Sequence, residues 1–242
     1  MATVGLVGVG LLGSAVATRL LKGGHRVIGF DTAADRIRAL RNMGGEAGAS
    51  ARAVALESDA VCTLLPTLPA VEAAIFGPDG VAAAGKPGPI VLQMSTISPA
   101  LTMRLAEDSR ARGLDFLDCP VSGTSSIVAR GDGVVFVGGE QSVLERARPV
   151  LEAMMARVVH VGTAGQAMVL KLAANLLVAL HSAAAAEALH LVRQAGLDPA
   201  MALEVLAGSA GGSRMLEVRG PLIVRGEFPA QMKLDLFMKD LH

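Results

Sequence analysis

The chain has 242 residues, enough to bury the core of one large domain or of a medium domain with a smaller one. Its 22 basic residues balance 22 acidic ones, 52% of the residues are apolar and 2% are aromatic. That balance excludes a disordered chain, and it lacks both the basic footprint and the stacking platforms of a nucleic-acid binder, so the expected partner is a small molecule.

Taken in order, Thr3 to Gly8 reads as a short apolar strand, Leu11 to Lys22 as a helix, Arg26 to Phe30 as a strand, Ala33 to Met43 as a helix and Ala60 to Leu64 as a strand. The alternation predicts βαβ units and a parallel sheet. It continues through a strand at Ile90 to Met94, a helix from Pro99 to Arg112 and strands at Asp115 to Cys119 and Val134 to Val137. A helix from Ser142 to Met155 and a strand at Val158 to Val161 complete it.

Beyond Gly162 the character changes. Gln166 to Gln194 reads as one long helix, and Pro199 opens another after Gly196-Leu197-Asp198. Gly211-Gly212 and Gly220-Pro221 read as punctuation. The expected fold is α/β, a Rossmann-type doubly wound parallel sheet over residues 1–163, then an all-α domain over 164–242 carrying a long interdomain helix.

The Ala-rich stretch from Ala167 to Val192 has the length of a membrane span, but Lys171, Asn175, His181, Glu187 and His190 interrupt it. A long buried helix and no membrane partner are expected. Because the first strand begins at once, no signal or transit peptide is expected. Cys62 and Cys119, the only cysteines, fall in predicted buried strands. A reduced cytoplasmic protein is therefore expected, and a metal site built from these two is not.

Gly8-Val9-Gly10-Leu11-Leu12-Gly13 follows a strand and opens a helix. Gly8 allows the tight turn, Gly10 lets backbone approach a pyrophosphate, Gly13 permits close helix–strand packing, and the helix N-terminus offers N–H groups to phosphates. An ordinary glycine-rich turn is the competing reading. It loses ground because Asp31 ends the second strand about 20 residues on, where an acid can bind the adenosine ribose hydroxyls. A carboxylate there repels a 2′-phosphate, so NAD is expected over NADP unless Arg36 or Arg38 compensates.

Lys171 and Asn175 are four residues apart, hence on one helix face, one turn apart. A lone lysine in an Ala/Leu-rich helix is as often a surface residue whose stem covers apolar surface. Ser122 follows Pro120-Val121 at the carboxyl end of a strand, where open α/β sheets place ligands. His25, His160, His181 and His190 read as structural, and no Gly-x-Ser-x-Gly elbow supports a serine hydrolase.

Four segments together carry a family resemblance: the turn at residues 8–13, Asp118-Cys119-Pro120-Val121-Ser122-Gly123, the run from Gly162 through Lys171 to Asn175, and Lys239-Asp240-Leu241. Gln93 to Pro99 resembles a further loop beside the nicotinamide. In these the chain resembles the β-hydroxyacid dehydrogenase family, of 6-phosphogluconate dehydrogenase-like type. The resemblance implies reversible NAD-dependent oxidation of a small β-hydroxy acid, 3-hydroxyisobutyrate-like or 2-hydroxy-3-oxopropanoate-like, to its semialdehyde or keto acid.

It further implies that Lys171 is catalytic with Asn175 assisting, and that Ser122 and Gly123, with Thr124 beside them, hold a substrate carboxylate. Gly8, Gly10, Leu11, Leu12, Gly13, Asp31, Leu65, Pro66, Thr96 and Lys239 are the expected cofactor contacts. By the same analogy a homodimer or homotetramer is expected; relatives continue beyond the Lys-Asp-Leu segment while this chain stops at His242, so relative to the family either a tail is missing or the helical domain is curtailed. Thr124 where relatives have glycine, Ala167 for glycine and Ala174 for asparagine bear on substrate identity. Two alternatives stand beside this reading: an imine reductase of related fold, which generally carries another residue at the lysine position, and a non-catalytic NAD(H)-binding scaffold, which would have lost the lysine.

Overall fold

The structure, a computed structural model, describes residues 1–85 and 87–228. The chain runs through β1 (Thr3–Val7), α1 (Leu11–Lys22), β2 (Arg26–Phe30), α2 (Ala34–Asn42), β3 (Glu46–Ala47), α3 (Ala51–Leu56), β4 (Ala60–Thr63) and α4 (Leu68–Phe76). A tight turn at Val81–Ala84 leads to β5 (Ile90–Gln93), α5 (Pro99–Ala111), β6 (Phe116–Asp118), β7 (Val121–Ser122), α6 (Ser125–Arg130), β8 (Val134–Gly138), α7 (Gln141–Met154) and β9 (Arg157–Gly162). Three helices follow among the described residues: α8 (Gln166–Gln194), α9 (Pro199–Ala207) and α10 (Arg214–Arg225). Two compact units result, Met1–Lys171 and Leu172–His242.

In the first unit the strands lie in the order β3-β2-β1-β4-β5-β6, all parallel. Helices cover both faces, so alternate residues of one strand enter different cores. Val4 and Leu6 pack with Val16, Leu20 and Leu151 on one side, and Val7 with Val54, Val71 and Ile75 on the other. Each fully buried leucine contributes roughly 1.5–3 kcal/mol, whereas the ion pairs, such as Arg110–Glu140, lie exposed and add little.

The sheet is not wholly parallel. β8 runs antiparallel to β6 and β7, while β9 returns parallel to β8. Loop length explains it: the link from β7 to β8 holds only the single short helix α6, too little for a parallel crossover, whereas α7 gives β8 and β9 a full one. Pro120, which has no N–H to give the ladder, separates β6 from β7.

In the second unit, Ala185, Leu189 and Leu216 form a small core with Leu203, Leu206, Ile223 and Val224. Asp198 caps α9, accepting from the N–H of Ala200 (3.1 Å) and Met201 (3.3 Å), with Pro199 at the first helical position. Gly220-Pro221 does not punctuate the chain but lies inside α10. A Cβ at Gly220 would stand 2.5 Å from Leu203 Cδ1, so the glycine serves the close approach of α9 and α10.

The expectation of a buried long helix is corrected as well. α8 is long and apolar enough to cross a membrane by length and composition, yet only 17% of its most apolar 18-residue window is buried among the described residues. Leu176, Leu177 and Leu180 are exposed. The described helices α9 and α10 are short, and their apolar contacts with α8 gather at Ala185 and Leu189.

Candidate active site and cofactor cradle

The glycine turn sits where the strand order reverses, between β1 and β4, the position at which open α/β sheets bind their ligands. Gly8 has φ +97°, which favours glycine, and a Cβ there would overlap the carbonyl oxygen of Leu64. A Cβ at Gly13 would overlap the carbonyl oxygen of Gly8. At Gly10, the N-cap of α1, a Cβ would meet nothing within 4 Å. Gly8 and Gly13 thus answer the protein's own packing, and Gly10 faces open space beside the first-turn N–H groups of Leu11, Leu12 and Gly13, which by helix geometry have no intrahelical acceptor. Such a cradle fits a pyrophosphate.

Asp31 closes the turn from the end of β2. Its Oδ2 accepts from the N–H of Val9 at 2.7 Å and its Oδ1 from the N–H of Ala33 at 2.9 Å. Each oxygen keeps a lone pair for a ribose hydroxyl. Arg36 is half-buried and Arg38 exposed on α2.

Leu65 and Pro66 follow β4, and Thr96 follows β5, so both loops open on the same edge as the glycine turn. A buried polar cluster holds them together. The Leu65 N–H donates to Ser95 Oγ at 2.8 Å, and Ser95 Oγ donates to the Thr63 carbonyl at 3.2 Å. Gln93 brackets Ser95, its Oε1 accepting the Ser95 N–H at 2.5 Å and its Nε2 donating to the Ser95 carbonyl at 2.8 Å. Sequence reasoning singled out this loop by resemblance but missed the clamp, whose only sequence signal is polar Thr63 and Gln93 inside apolar strands.

Ser122 ends β7, just past the carboxyl end of β6, and is half-buried. Gly123 has φ +152°, and a Cβ there would stand 3.1 Å from Ile127 Cγ2. The Thr124 hydroxyl caps α6, accepting from the Ile127 N–H at 3.4 Å, and lies 2.9 Å from Ser126 Oγ. Thr124 therefore has a structural role that sequence reading did not assign.

Lys171 is half-buried and Asn175 buried, at 7% exposure, one turn apart on α8. The start of that helix is fixed from within the sheet: Asp118 Oδ2 accepts from the N–H of Gly165 and of Met168, both at 3.0 Å. Burial pushes the Asp118 carboxyl up to about 6 although these two N–H groups pull it down. His160 binds the Gly139 carbonyl at 2.9 Å, and Cys62 and Cys119 are buried free thiols, burial pushing Cys62 up to about 12. Lys239 lies outside the described residues.

A sheet of this order with a glycine cradle at its switch point defines a nicotinamide-dinucleotide-binding oxidoreductase. Residues 3–162 match the NAD binding domain of 6-phosphogluconate dehydrogenase, and residues 164–242 match the NAD-binding of NADP-dependent 3-hydroxyisobutyrate dehydrogenase. The chain belongs to the β-hydroxyacid dehydrogenase family and is an NAD(P)-dependent enzyme acting on CH–OH groups.

The 2-(hydroxymethyl)glutarate dehydrogenase of Eubacterium barkeri is 34% identical over 98% of this chain and 79% of its own. The 2-hydroxy-3-oxopropionate reductase of Escherichia coli is 34% identical over 99% of this chain and 82% of its own. The crystal structure of 3-hydroxyisobutyrate dehydrogenase from Salmonella typhimurium superposes with a TM-score of 0.87 at 35% identity, covering 99% of this chain and 84% of that one. An imine reductase from Myxococcus stipitatus, at 18% identity and TM-score 0.66, shares the fold alone.

Proposed function

We propose that this enzyme interconverts a small β-hydroxy acid with its semialdehyde or keto acid, using NAD in preference to NADP. The observation that carries the reading is that the helix bearing Lys171 and Asn175 is tied, through Asp118, to the strand that leads into Ser122-Gly123. Residues 1–163 act as the dinucleotide-binding domain and 164–242 as the helical domain.

Gly8, Gly10 and Gly13 with the first-turn N–H groups of Leu11 and Leu12 would hold the pyrophosphate, Asp31 the ribose, and Leu65, Pro66 and Thr96 the nicotinamide side; Lys239, also expected at the cofactor, lies outside the described residues. A dinucleotide held there would supply the hydride chemistry. The Ser122 hydroxyl and the Gly123 N–H hold the substrate carboxylate, with Thr124 shaping the neighbouring wall. The Lys171 ammonium donates its proton to the carbonyl oxygen as negative charge develops there, and in oxidation the neutral amine takes the hydroxyl proton. The Asn175 amide, one turn along, donates to the same oxygen.

Lys171 and Asp31 both weigh against an imine reductase, and the retained lysine against a scaffold without chemistry. The exposed face of α8 supports a homodimer or homotetramer, in which a second copy covers Leu176, Leu177 and Leu180. The buried free thiols accord with a cytoplasmic protein. A panel of C3 to C5 hydroxy acids with NAD and NADP, and of cyclic imines with NADPH, tests the assignment. Turnover of a β-hydroxy acid with NAD is expected, and turnover of imines alone would overturn it.

A further inference from the structure

The first turn of α8 is held twice. On its exposed side the loop before the helix is closed locally: the Thr163 N–H donates to Gln166 Oε1 at 2.7 Å. On its inner side a carboxylate with no exposure, Asp118, accepts from Gly165 and Met168 through one oxygen, while its other oxygen, Oδ1, is buried without a hydrogen-bond partner among the described residues. Burying a carboxylate and orphaning one of its oxygens is a poor device for stability alone.

What Asp118 adds is location. Asp118 is the last residue of β6, pairs with Gly138 of β8, and stands four residues before Ser122. Gly138 lacks a Cβ where one would lie 2.6 Å from the Thr163 carbonyl oxygen, so the start of α8 also rests on β8 backbone. Met168 precedes Lys171 by three residues, which places them on neighbouring positions of one helix face.

We propose that Asp118 is a positioning residue: its carboxylate fixes the first turn of α8, and with it Lys171, in register with the strand that delivers Ser122 and Gly123. The proton donor and the carboxylate-binding turn thereby share one anchor. This rests on the assignment of Lys171 given above. Asp118 itself, with no exposure, offers no surface to substrate or cofactor.

The test compares Asp118→Ala, Asp118→Asn and Lys171→Ala with the wild type by amide hydrogen exchange, NADH titration and steady-state kinetics. The kinetic probe is whichever of L-serine, 3-hydroxyisobutyrate and L-threonate the wild type oxidises fastest with NAD. Asp118→Ala is expected to speed exchange at residues 165–168 and to lower kcat by at least about tenfold, the scale of an ångström-level misplacement. NADH affinity should stay within about twofold, because the pyrophosphate cradle lies elsewhere in the sheet. Asp118→Asn, whose amide oxygen can take the place of Oδ2, should recover most of the lost kcat and the protected amides.

Unchanged exchange in Asp118→Ala overturns the anchor. Faster exchange with unchanged kcat overturns the positioning role. If Lys171→Ala turns over normally, the catalytic assignment itself fails, a result distinct from either. A global rise in exchange would mark simple unfolding, and the Asn variant then decides: kcat as low as in the Ala variant, with native exchange, contradicts the proposal.

Discussion

Asp31 Oδ2 accepts a 2.7 Å hydrogen bond from the backbone N–H of Val9, in the middle of the glycine turn. One carboxylate thus shapes the glycine turn and, on the proposed function, also holds the adenosine ribose. Asp31→Ser removes both the charge and the longer reach. It is expected to weaken NADH binding and tighten NADPH binding, moving their ratio by at least about tenfold, roughly 1.4 kcal/mol. Fluorescence titration with both cofactors checks this, and tighter NADPH binding by the wild type would contradict it.

The glycines of the turn separate by what surrounds them. Gly13→Ala sets a Cβ against the Gly8 carbonyl and should cost about 1–3 kcal/mol of stability along with NADH binding. Gly10→Ala meets no protein atom within 4 Å, so its urea midpoint should match the wild type while NADH binding falls by at least about tenfold. Equal loss of stability in both variants would show that Gly10 serves packing.

Asp118 gives a pH signature of folding. Its carboxyl, ordinarily at 3.8, is pushed by burial to about 6, so the folded chain binds this proton more tightly than the unfolded one. The resulting stability is fully present below pH 3.8 and is lost as pH rises through about 6. The gap corresponds to on the order of 3 kcal/mol. Asp118→Asn cannot titrate, so its stability relative to the wild type should climb between pH 4 and pH 7 and then level off. Urea denaturation across that window measures it, and a constant offset would rule the buried titration out.

Much of the first unit was legible because a parallel sheet buried on both faces leaves short apolar runs separated by helical periods. Thr3 to Val7, Ile90 to Gln93 and the glycine turn are such signals. The six-residue helices α3 and α6 and the two-residue strands β3 and β7 escaped, being too short to show a period, and α4, as long as α2, escaped because its nearly all-apolar residues mark no face. The reversal at β8 depends on a connection length, not on composition. Gly220-Pro221 misled because a glycine needed for contact with Leu203 reads locally like a break.

At the site, the glycine turn and Asp31 could be read from spacing, whereas the roles of Lys171 and Asn175 rested on the family resemblance. The anchors could not. Asp118 meets Gly165 and Met168, and Leu65 meets Ser95, across long stretches of chain. No local pattern records such bonds, since only the folded sheet brings their partners together.

In the proposed function Lys171 moves the proton, and kcat of Lys171→Ala beside its NADH affinity tests this role most directly. With a β-hydroxy acid and NAD, kcat should fall by at least about 100-fold, the scale of lost general acid–base catalysis, while the NADH dissociation constant stays within about twofold. Turnover at the wild-type rate with cofactor binding intact would contradict that role.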